Sequence, residues 1–536
     1  MNKMKIFYYC PSVQSSNEAT LFMPTPPMHL NSYLRVYEPE LADKITWQKL
    51  QFLFLDTEQL IDKLEKNDID ILCITLYIWN QKKVLDQIAN IKTKLSKKIT
   101  IIVGGPSTEI VRNKNFLEDN PDIDFAVYSQ GEKAFADILN HIFDIKKLSL
   151  LSSKNVAWRE NSKTKIADFE FLRLDKINPY TNSGELLQKI VSDPDYKNLK
   201  FTLPYETSRG CPYTCSFCDW TSGLSHKTYF RKFDVEEELE FFAQHGILSF
   251  HLSDANFGQK KSDLDVAKAW VKLKETKGYN FKIHNTNFSK LEKKRVFEIV
   301  NILLKGEIIE TLKFAVQDTH ENILNNIERP DIPWLEHKKY MDEVRHNFPN
   351  VDFGIELMQG LPGQTRETWE NNFINIAPYT PIVYTWTILP NSPAGYDLDY
   401  KNKMQLKTIY SNVSFLNELR WEGWDEELLT ETVISTYSYN IDDYAYFTLI
   451  SQIFTDVRFN KIFLCKNRKD IISIIKNNSS LEETVQEIKQ SIVEAKPNNI
   501  KKSLLKFVKK LAVDNPSYFT KSDIKEIVLN ERNKIC

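Results

Sequence analysis

Charge of one sign, long apolar runs and abundant cysteine are all missing from this 536-residue chain, and each absence removes a class of function. Lys and Arg (70) nearly balance Asp and Glu (72), and the net charge of −2 is dispersed along the sequence. No basic face advertises nucleic acid, so a polyanion partner is not expected. The longest apolar runs, such as Ile71 to Ile78, are strand-sized and far short of a bilayer span, so no membrane partner is expected either. Met1 to Phe7 shows no long apolar core followed by a small-residue cleavage site and does not read as a signal peptide. Seven cysteines suit a reducing cytoplasm better than a disulfide framework, and Cys10, Cys73, Cys465 and Cys536 read as scattered, buried or incidental thiols. No internal repeat or long low-complexity tract is found.

What is present is a strand–helix alternation in two blocks. In residues 1–145 the strand candidates are Lys5 to Cys10, Ile69 to Ile78, Ile99 to Val103 and Phe125 to Tyr128. Helical patterns over Thr57 to Lys66, Lys82 to Leu95 and Ala134 to Phe143 lie between or after them. This rhythm predicts a doubly wound, Rossmann-like parallel sheet with its ligand crevice at the strand C-termini. The loops there are Tyr77-Ile78-Trp79-Asn80, Gly104-Gly105-Pro106 and Gln130-Gly131-Glu132. Residues 146–200 read as a linker with a small β insert, the hairpin Asn155 to Phe171. From 201 to 395 six further strands are expected: Phe201 to Glu206, Ser249 to Ser253, Phe281 to Asn285, Thr311 to Val316, Asp352 to Met358 and Val383 to Leu389. Helices over Val235 to His245 and Leu264 to Thr276 fill gaps between them. Beyond 396 the pattern is mainly helical, over Met404 to Leu419 and Leu481 to Glu494, with an aromatic patch at Trp421 to Trp424.

The most specific chemistry lies in Ser-Arg-Gly-Cys-Pro-Tyr-Thr-Cys-Ser-Phe-Cys-Asp-Trp, residues 208–220. Cys211, Cys215 and Cys218 stand at a Cys-x3-Cys-x2-Cys spacing just after the first strand of the second block. Such a loop can wrap three corners of a cubane iron–sulfur cluster and leave the fourth iron without a protein ligand. Zinc would require a fourth ligand, for which His226 is the nearby candidate. An electron-transfer cluster would close its own fourth corner.

This motif resembles that of the radical S-adenosylmethionine (SAM) enzymes, and later segments fall where that family has its SAM contacts. Phe217 lies between the second and third cysteines, and His251 to Gly258 resembles the family's Asp-Asn-Phe segment through Asp254 and Asn256. Gln317 occupies a ribose-contact position, and Ile323 to Arg329 resembles the helix ending in Asn-x-x-Arg. Glu356 precedes Gly360-Leu361-Pro362-Gly363-Gln364-Thr365, similar to the family's Gly-Leu-Pro-Gly-Glu-Thr segment with Gln364 in place of Glu, and Leu389 to Pro393 closes the sixth strand in the family's manner. The six strands then correspond to a partial (β/α)6, TIM-type barrel with its chemistry at the C-terminal strand mouths. The leading domain resembles the cobalamin-binding domain found ahead of many such barrels. Gly104, Gly105 and Gly131 would let the backbone close on a bulky ligand. Thr75, Asn80 and Glu132 would bond its nucleotide tail, with Tyr77 and Gln130 beside them, while Trp79 would lie beneath the corrin or plug the sheet. The Asp-x-His-x-x-Gly of histidine-ligating corrinoid domains is absent, and His29 is a poor substitute. A methylthiotransferase would need three more cysteines in the leading domain, where only Cys10 and Cys73 are available.

The resemblance implies a [4Fe-4S] cluster on Cys211, Cys215 and Cys218, SAM chelated at its free iron, and cobalamin. The implied reaction is hydrogen abstraction by a 5′-deoxyadenosyl radical followed by methyl transfer from methylcobalamin to an unactivated carbon. Asp254 and Glu356 are the candidate catalytic groups as well as cofactor contacts, and Asn256, His284, Asn287 and Tyr384 are further pocket candidates. The expected substrate is a peptide or a small natural product, and the expected electron source an external flavodoxin- or ferredoxin-type protein. A non-methylating oxidation or rearrangement, and a sensor or scaffold without turnover, are the alternatives.

Overall fold

The computed structural model describes residues 3–12, 14–15, 20–144, 150–220, 227–411 and 430–532. The chain opens with β1 (Met4–Tyr9), then two short strands, β2 (Gln14–Ser15) and β3 (Thr20–Phe22). β4 (Ile45–Gln51), β5 (Ile71–Thr75), β6 (Thr100–Gly104) and β7 (Phe125–Val127) follow, and a hairpin of β8 (Val156–Glu160) and β9 (Lys163–Ile166) comes next. They form one seven-stranded sheet in the order β4-β1-β5-β6-β7-β8-β9, with β2 and β3 left out of it. Pairing is parallel from β4 to β7 and antiparallel for the hairpin. The hairpin expected as an insert therefore extends the first sheet. The chain steps to opposite sides of β1, which puts the topological switch point between β1 and β5.

The alternation of side chains in these strands sorts them onto two faces. Phe7, Tyr9, Leu72, Ile74, Ile101 and Val103 pack against Leu60, Leu64, Val84 and Ile88 of the outer helices. Tyr8, Cys73, Ile102 and Val127 join the core that continues into the rest of the molecule through the helices Pro26–Tyr37 and Glu132–Phe143. The helix Thr57–Lys66 starts where predicted, with Asp56 and Gln59 forming a reciprocal cap. The expected helix over Lys82 to Leu95 is two shorter ones, Gln81–Ile88 and Ile91–Lys94, because Asn90 between them is left-handed (φ 62°).

The second block is built from β10 (Lys200–Tyr205), β11 (Ser208–Gly210), β12 (Thr228–Phe230), β13 (Ser249–Phe257), β14 (Lys282–Phe288), β15 (Thr311–Gln317), β16 (Asp352–Gln359) and β17 (Thr380–Thr385). Two sheets result, β14-β13-β10-β3-β2, parallel except for the antiparallel β2–β3 pair, and the parallel β15-β16-β17, which meet where β14 lies against β15. The six barrel strands are thus present, and β3 of the opening segment adds parallel to the first of them. The last barrel strand runs from Thr380, three residues before the expected start, and Trp386 to Leu389 lie beyond its end. That apolar run is buried for another reason: Ile388 N donates to Glu431 O at 2.8 Å and Trp386 and Ile388 pack in a small separate core.

After the barrel the helix Leu398–Met404 ends at left-handed Gln405, and β18 (Lys407–Ser411) pairs antiparallel with β19 (Thr430–Ser435). The helix expected over Met404 to Leu419 is therefore corrected up to Ser411, where Lys-Thr-Ile-Tyr-Ser is extended, as its β-branched residues favour, and residues 412–419 lie outside the described residues. Trp421 to Trp424 and His226 lie outside the described residues. The helices Ile441–Thr455, Leu481–Val493 and Pro497–Asp514 complete the C-terminal part, the first of them buried on nearly every side. Among the described residues no helix is long and apolar enough to cross a membrane.

Candidate functional site

The cysteine loop springs from the β11–β12 ladder, and several independent contacts hold its base. Gly210 sits at φ +90°, where an added Cβ would lie 2.3 Å from Lys227 O. Asp254, wholly buried within β13, accepts from both backbone and side chain of Thr207 and of Ser208. Halfway round the loop, Ser216 N donates to Ile327 O, Ser216 O accepts from Ala394 N, and Ser216 Oγ meets Tyr400 OH at 2.7 Å. Asp254 is therefore a positioning residue for the loop, with its oxygens already engaged. Burial pushes its carboxyl up to about 7 in spite of those donors.

Cys211, Cys215 and Cys218 all line one cavity of about 140 Å³ with Phe217, Gln317 and Glu356. Among the described residues no three His, Cys, Asp or Glu side chains converge on a point that would hold a single ion. Among those residues the three thiols line a common space and meet no fourth ligand of the kind a closed zinc site requires. Two donors already face the sulfurs: Asn256 Nδ2 to Cys211 Sγ at 3.2 Å and Lys290 Nζ to Cys215 Sγ at 3.1 Å. The donor set fits a thiolate-bound cluster.

The same cavity holds buried polar atoms with no hydrogen-bond partner among the described residues: Thr286 Oγ1, Gln317 Oε1 and Arg329 Nε. Gln317 is also held at φ +70°, a conformation non-glycine residues rarely adopt and one that collects at ligand sites. Unpaired buried polar groups are costly, so a polar ligand is the physical complement of this wall. Arg329 and Lys293 flank Asp331 at 3.0 and 3.7 Å and put two cations on the cavity floor. Burial lowers Lys293 to about 8 and holds neighbouring His337 well below the usual imidazole range.

Parallel strands are usually apolar on both faces, but here the barrel's inner wall carries several polar side chains. Ser249, His251, His284, Lys313, Glu356 and Tyr384 lie on it by strand parity. His284 Nε2 and Ser249 Oγ are 2.8 Å apart, and Tyr384 OH donates to Glu356 Oε1 at 3.3 Å. Burial, with Lys313 and His284 nearby, lowers His251 to about 4, so the ring is neutral at neutral pH. Burial raises Glu356. Asn287 reaches the cysteine cavity.

A second cavity, of about 350 Å³, lies over the C-terminal ends of β5, β6 and β7 and faces the barrel. Thr75, Tyr77, Gly104, Gly105, Gln130, Gly131 and Glu132 line it, as does His29. Asn80 does not. It is fully buried, its Nδ2 bonded to Pro11 O and Thr75 O and its Oδ1 to Tyr77 N, so it clasps the loop from within. Trp79 stacks on Tyr77 at 4.4 Å and outside the cavity lining. Thr75 Oγ1 is 2.7 Å from Tyr8 OH. Glu132 pairs with Arg209 Nη1 at 2.6 Å, and its Oε2 is buried without a partner. Burial alone would raise this carboxyl, but Arg209 and His29 hold it well below the usual carboxylate range. His29 Nδ1 lies 3.0 Å from Arg209 Nη2 and 3.6 Å from Glu132 Oε1, which joins the three side chains in one cluster. The glycine-lined floor and the open Glu132 oxygen suit a large ligand rich in amide donors. Cys10 is buried and pushed up to about 12, and Cys73 is buried and raised further, so neither is a reactive thiol. Cys465 is exposed.

Arg209, Trp220, Lys290, Lys293 and Lys313 were not singled out from the sequence. Only Arg209 and Trp220 carried a signal, their adjacency to the cysteine run. Gln364, by contrast, explains its own departure from Glu. Its Oε1 accepts from Gly360 N and Leu361 N while its Nε2 donates to Asp318 Oδ2 and Met358 O. Gln364→Glu would turn that donor against the buried Asp318 carboxylate. It should cost about 2 kcal/mol in urea unfolding, and Asp318→Asn in the same chain should recover most of the loss.

A family model described as a B12 binding domain matches residues 48–139. The chain is 28% identical over 384 residues to 2-(S-pantetheinyl)-carbapenam-3-carboxylate methyltransferase of Streptantibioticus cattleyicolor, covering 68% of this chain and 55% of that protein. It is 27% identical over 372 residues to the cobalamin-dependent radical SAM methyltransferase TokK of Streptomyces tokunonensis, covering 67% and 53%. The chain thus spans about half the length of these curated relatives. In fold it is similar to the radical SAM methyltransferase TsrM from Kitasatospora setae, solved with cobalamin and a [4Fe-4S] cluster bound. The TM-score is 0.59 at 13% identity, over 92% of this chain and 100% of that one.

Proposed function

Since this chain belongs to the cobalamin-dependent radical SAM enzymes, we propose that it methylates an unactivated carbon of a peptide or natural-product substrate through methylcobalamin. The observation that carries the reading is the placement of Trp220, which lines both the cysteine cavity and the glycine-floored cavity of the first domain. Asp219 and Gly210 of the same loop also reach the latter. Two cofactor sites that share a wall let one substrate meet both.

When bound, the cluster and SAM supply one-electron hydrogen abstraction and cobalamin supplies the methyl group. Cys211, Cys215 and Cys218 would hold three of the cluster's irons. Gln317 Oε1 and Thr286 Oγ1 would be open to the hydroxyls of SAM, and Gly104, Gly105 and Glu132 would cradle the corrin and its amides. The polar inner wall, with Glu356, Tyr384, Lys313 and His284, orients the substrate and suits a polar small molecule. A relative named for a carbapenam carboxylate supports a natural product on this side of the choice. A flavodoxin- or ferredoxin-type protein delivers the electron.

The test is anaerobic reconstitution with iron, sulfide and cobalamin, followed by turnover of candidate substrates with methyl-labelled SAM. Label in the product together with 5′-deoxyadenosine is the expected result, and Cys218→Ser should bring both to baseline. Deoxyadenosine without label in the product would replace methylation by oxidation or rearrangement. No deoxyadenosine with any substrate would overturn the catalytic reading.

A further inference from the structure

Lys290 stands just past the end of β14 and is engaged in a way no ordinary surface lysine is. Its Nζ lies 3.1 Å from Cys215 Sγ and 4.4 Å from the centroid of the Tyr213 ring. Among the described residues it has no carboxylate partner within ion-pair distance. A lysine is long and flexible, so two convergent contacts on one ammonium group are needed to keep it in place. Tyr213 comes from the cysteine loop itself, between the first two ligands, so ring, cation and sulfur move as one unit.

We propose that Lys290 sets the reduction potential of the cluster by donating to the Cys215 sulfur, with Tyr213 holding the ammonium over it. This rests on the reading of the three cysteines as cluster ligands. A cluster gains negative charge on reduction, so a cation and hydrogen-bond donor at a ligand sulfur stabilises the reduced form more than the oxidised one. Asn256, bonded to Cys211 Sγ, adds a neutral donor to a second ligand. The third ligand, Cys218, takes a backbone N–H from Trp220 and lies within reach of the same Lys290 charge. The device bears on the step where reduction is hardest, because a more accessible potential lets a soluble donor fill the cluster.

The experiment is a redox titration followed by electron paramagnetic resonance on the full chain, reconstituted and loaded with cobalamin but free of SAM. Lys290→Met should make reduction about tenfold less favourable, a midpoint about 59 mV more negative for one electron. Lys290→Arg should recover most of that shift, and Tyr213→Leu should move it the same way by less. An unchanged midpoint in Lys290→Met at full iron and sulfide content overturns the proposal. If that variant also binds SAM more weakly, Lys290 belongs to the SAM carboxylate and not to the sulfur. Should Lys290→Met assemble no cluster, Lys290→Ala, which likewise removes both charge and donor, is titrated in its place and judged by the same criterion. Failure of the unaltered chain to take up iron and sulfide would instead sink the cluster reading on which the proposal stands.

Discussion

Gly105→Ala should destabilise the first domain by about 3 kcal/mol or more and abolish cobalamin retention. Gly105 adopts φ +103°, and a methyl there would lie 2.5 Å from Leu76 O and 2.8 Å from Thr75 Cγ2. Both neighbours are committed: Leu76 N donates to Gly104 O at 2.7 Å, and Leu76 O accepts from Ser107 N at 3.1 Å. Strain at this backbone conformation costs about 1–3 kcal/mol, and forcing a methyl into a packed site costs about as much again. Gly104→Ala is the matched control, since its methyl would meet Val127 at an ordinary 3.6 Å. That variant should keep its urea midpoint and lose corrinoid affinity only. The pair separates the glycine that shapes the loop from the one that leaves room for a ligand. Urea unfolding of the chain without cobalamin, and corrinoid absorbance after gel filtration, check both.

Asp254→Ala should empty the cysteine loop of iron and cost about 3–5 kcal/mol. The carboxylate is the acceptor for two backbone N–H groups and two hydroxyls of Thr207 and Ser208, all buried. The hydroxyls can turn elsewhere, but each orphaned amide costs about 1–3 kcal/mol. Because Thr207 and Ser208 lead directly into Gly210 and Cys211, the loss should appear as low iron and sulfide per chain as well as an earlier unfolding transition. pH gives an independent check. The folded carboxyl titrates near 7, above the ordinary value near 4, so the folded chain binds more protons than the unfolded one in that window. The contribution of Asp254 to stability therefore falls as pH rises from about 4 to about 7 and is level above it. The alanine variant should lack that slope.

The cysteine run, the strand-end glycines and the polar groups at the barrel mouth were legible because each is a local pattern with a local physical cause. Gly105 must be glycine for its φ, and an alternating polar strand in a parallel sheet must face something other than a helix. Asn80 shows the limit. At a strand end an asparagine reads equally well as a ligand donor or as a clasp for its own loop, and only the position of Pro11 O and Thr75 O decides between them. Val383 to Leu389 shows another, since apolar content reports burial but not the ladder responsible for it. Lys290 carried no pattern at all, because its meaning depends on a sulfur 75 residues away. The hairpin Val156 to Ile166 was visible as a hairpin, but nothing within it named β7 as its neighbour.

The short strand β3 has a consequence for anyone who would recombine this protein. The backbone builds the first strand of one sheet, crosses to pair residues 20–22 with β10 of the other, and returns to finish the first. No single cut near residue 200 yields two whole modules, because the barrel half would leave a bare strand edge behind. A chimaera that borrows another corrinoid module must carry over residues 14–22 with their own barrel, or the graft will arrive with a seam already open.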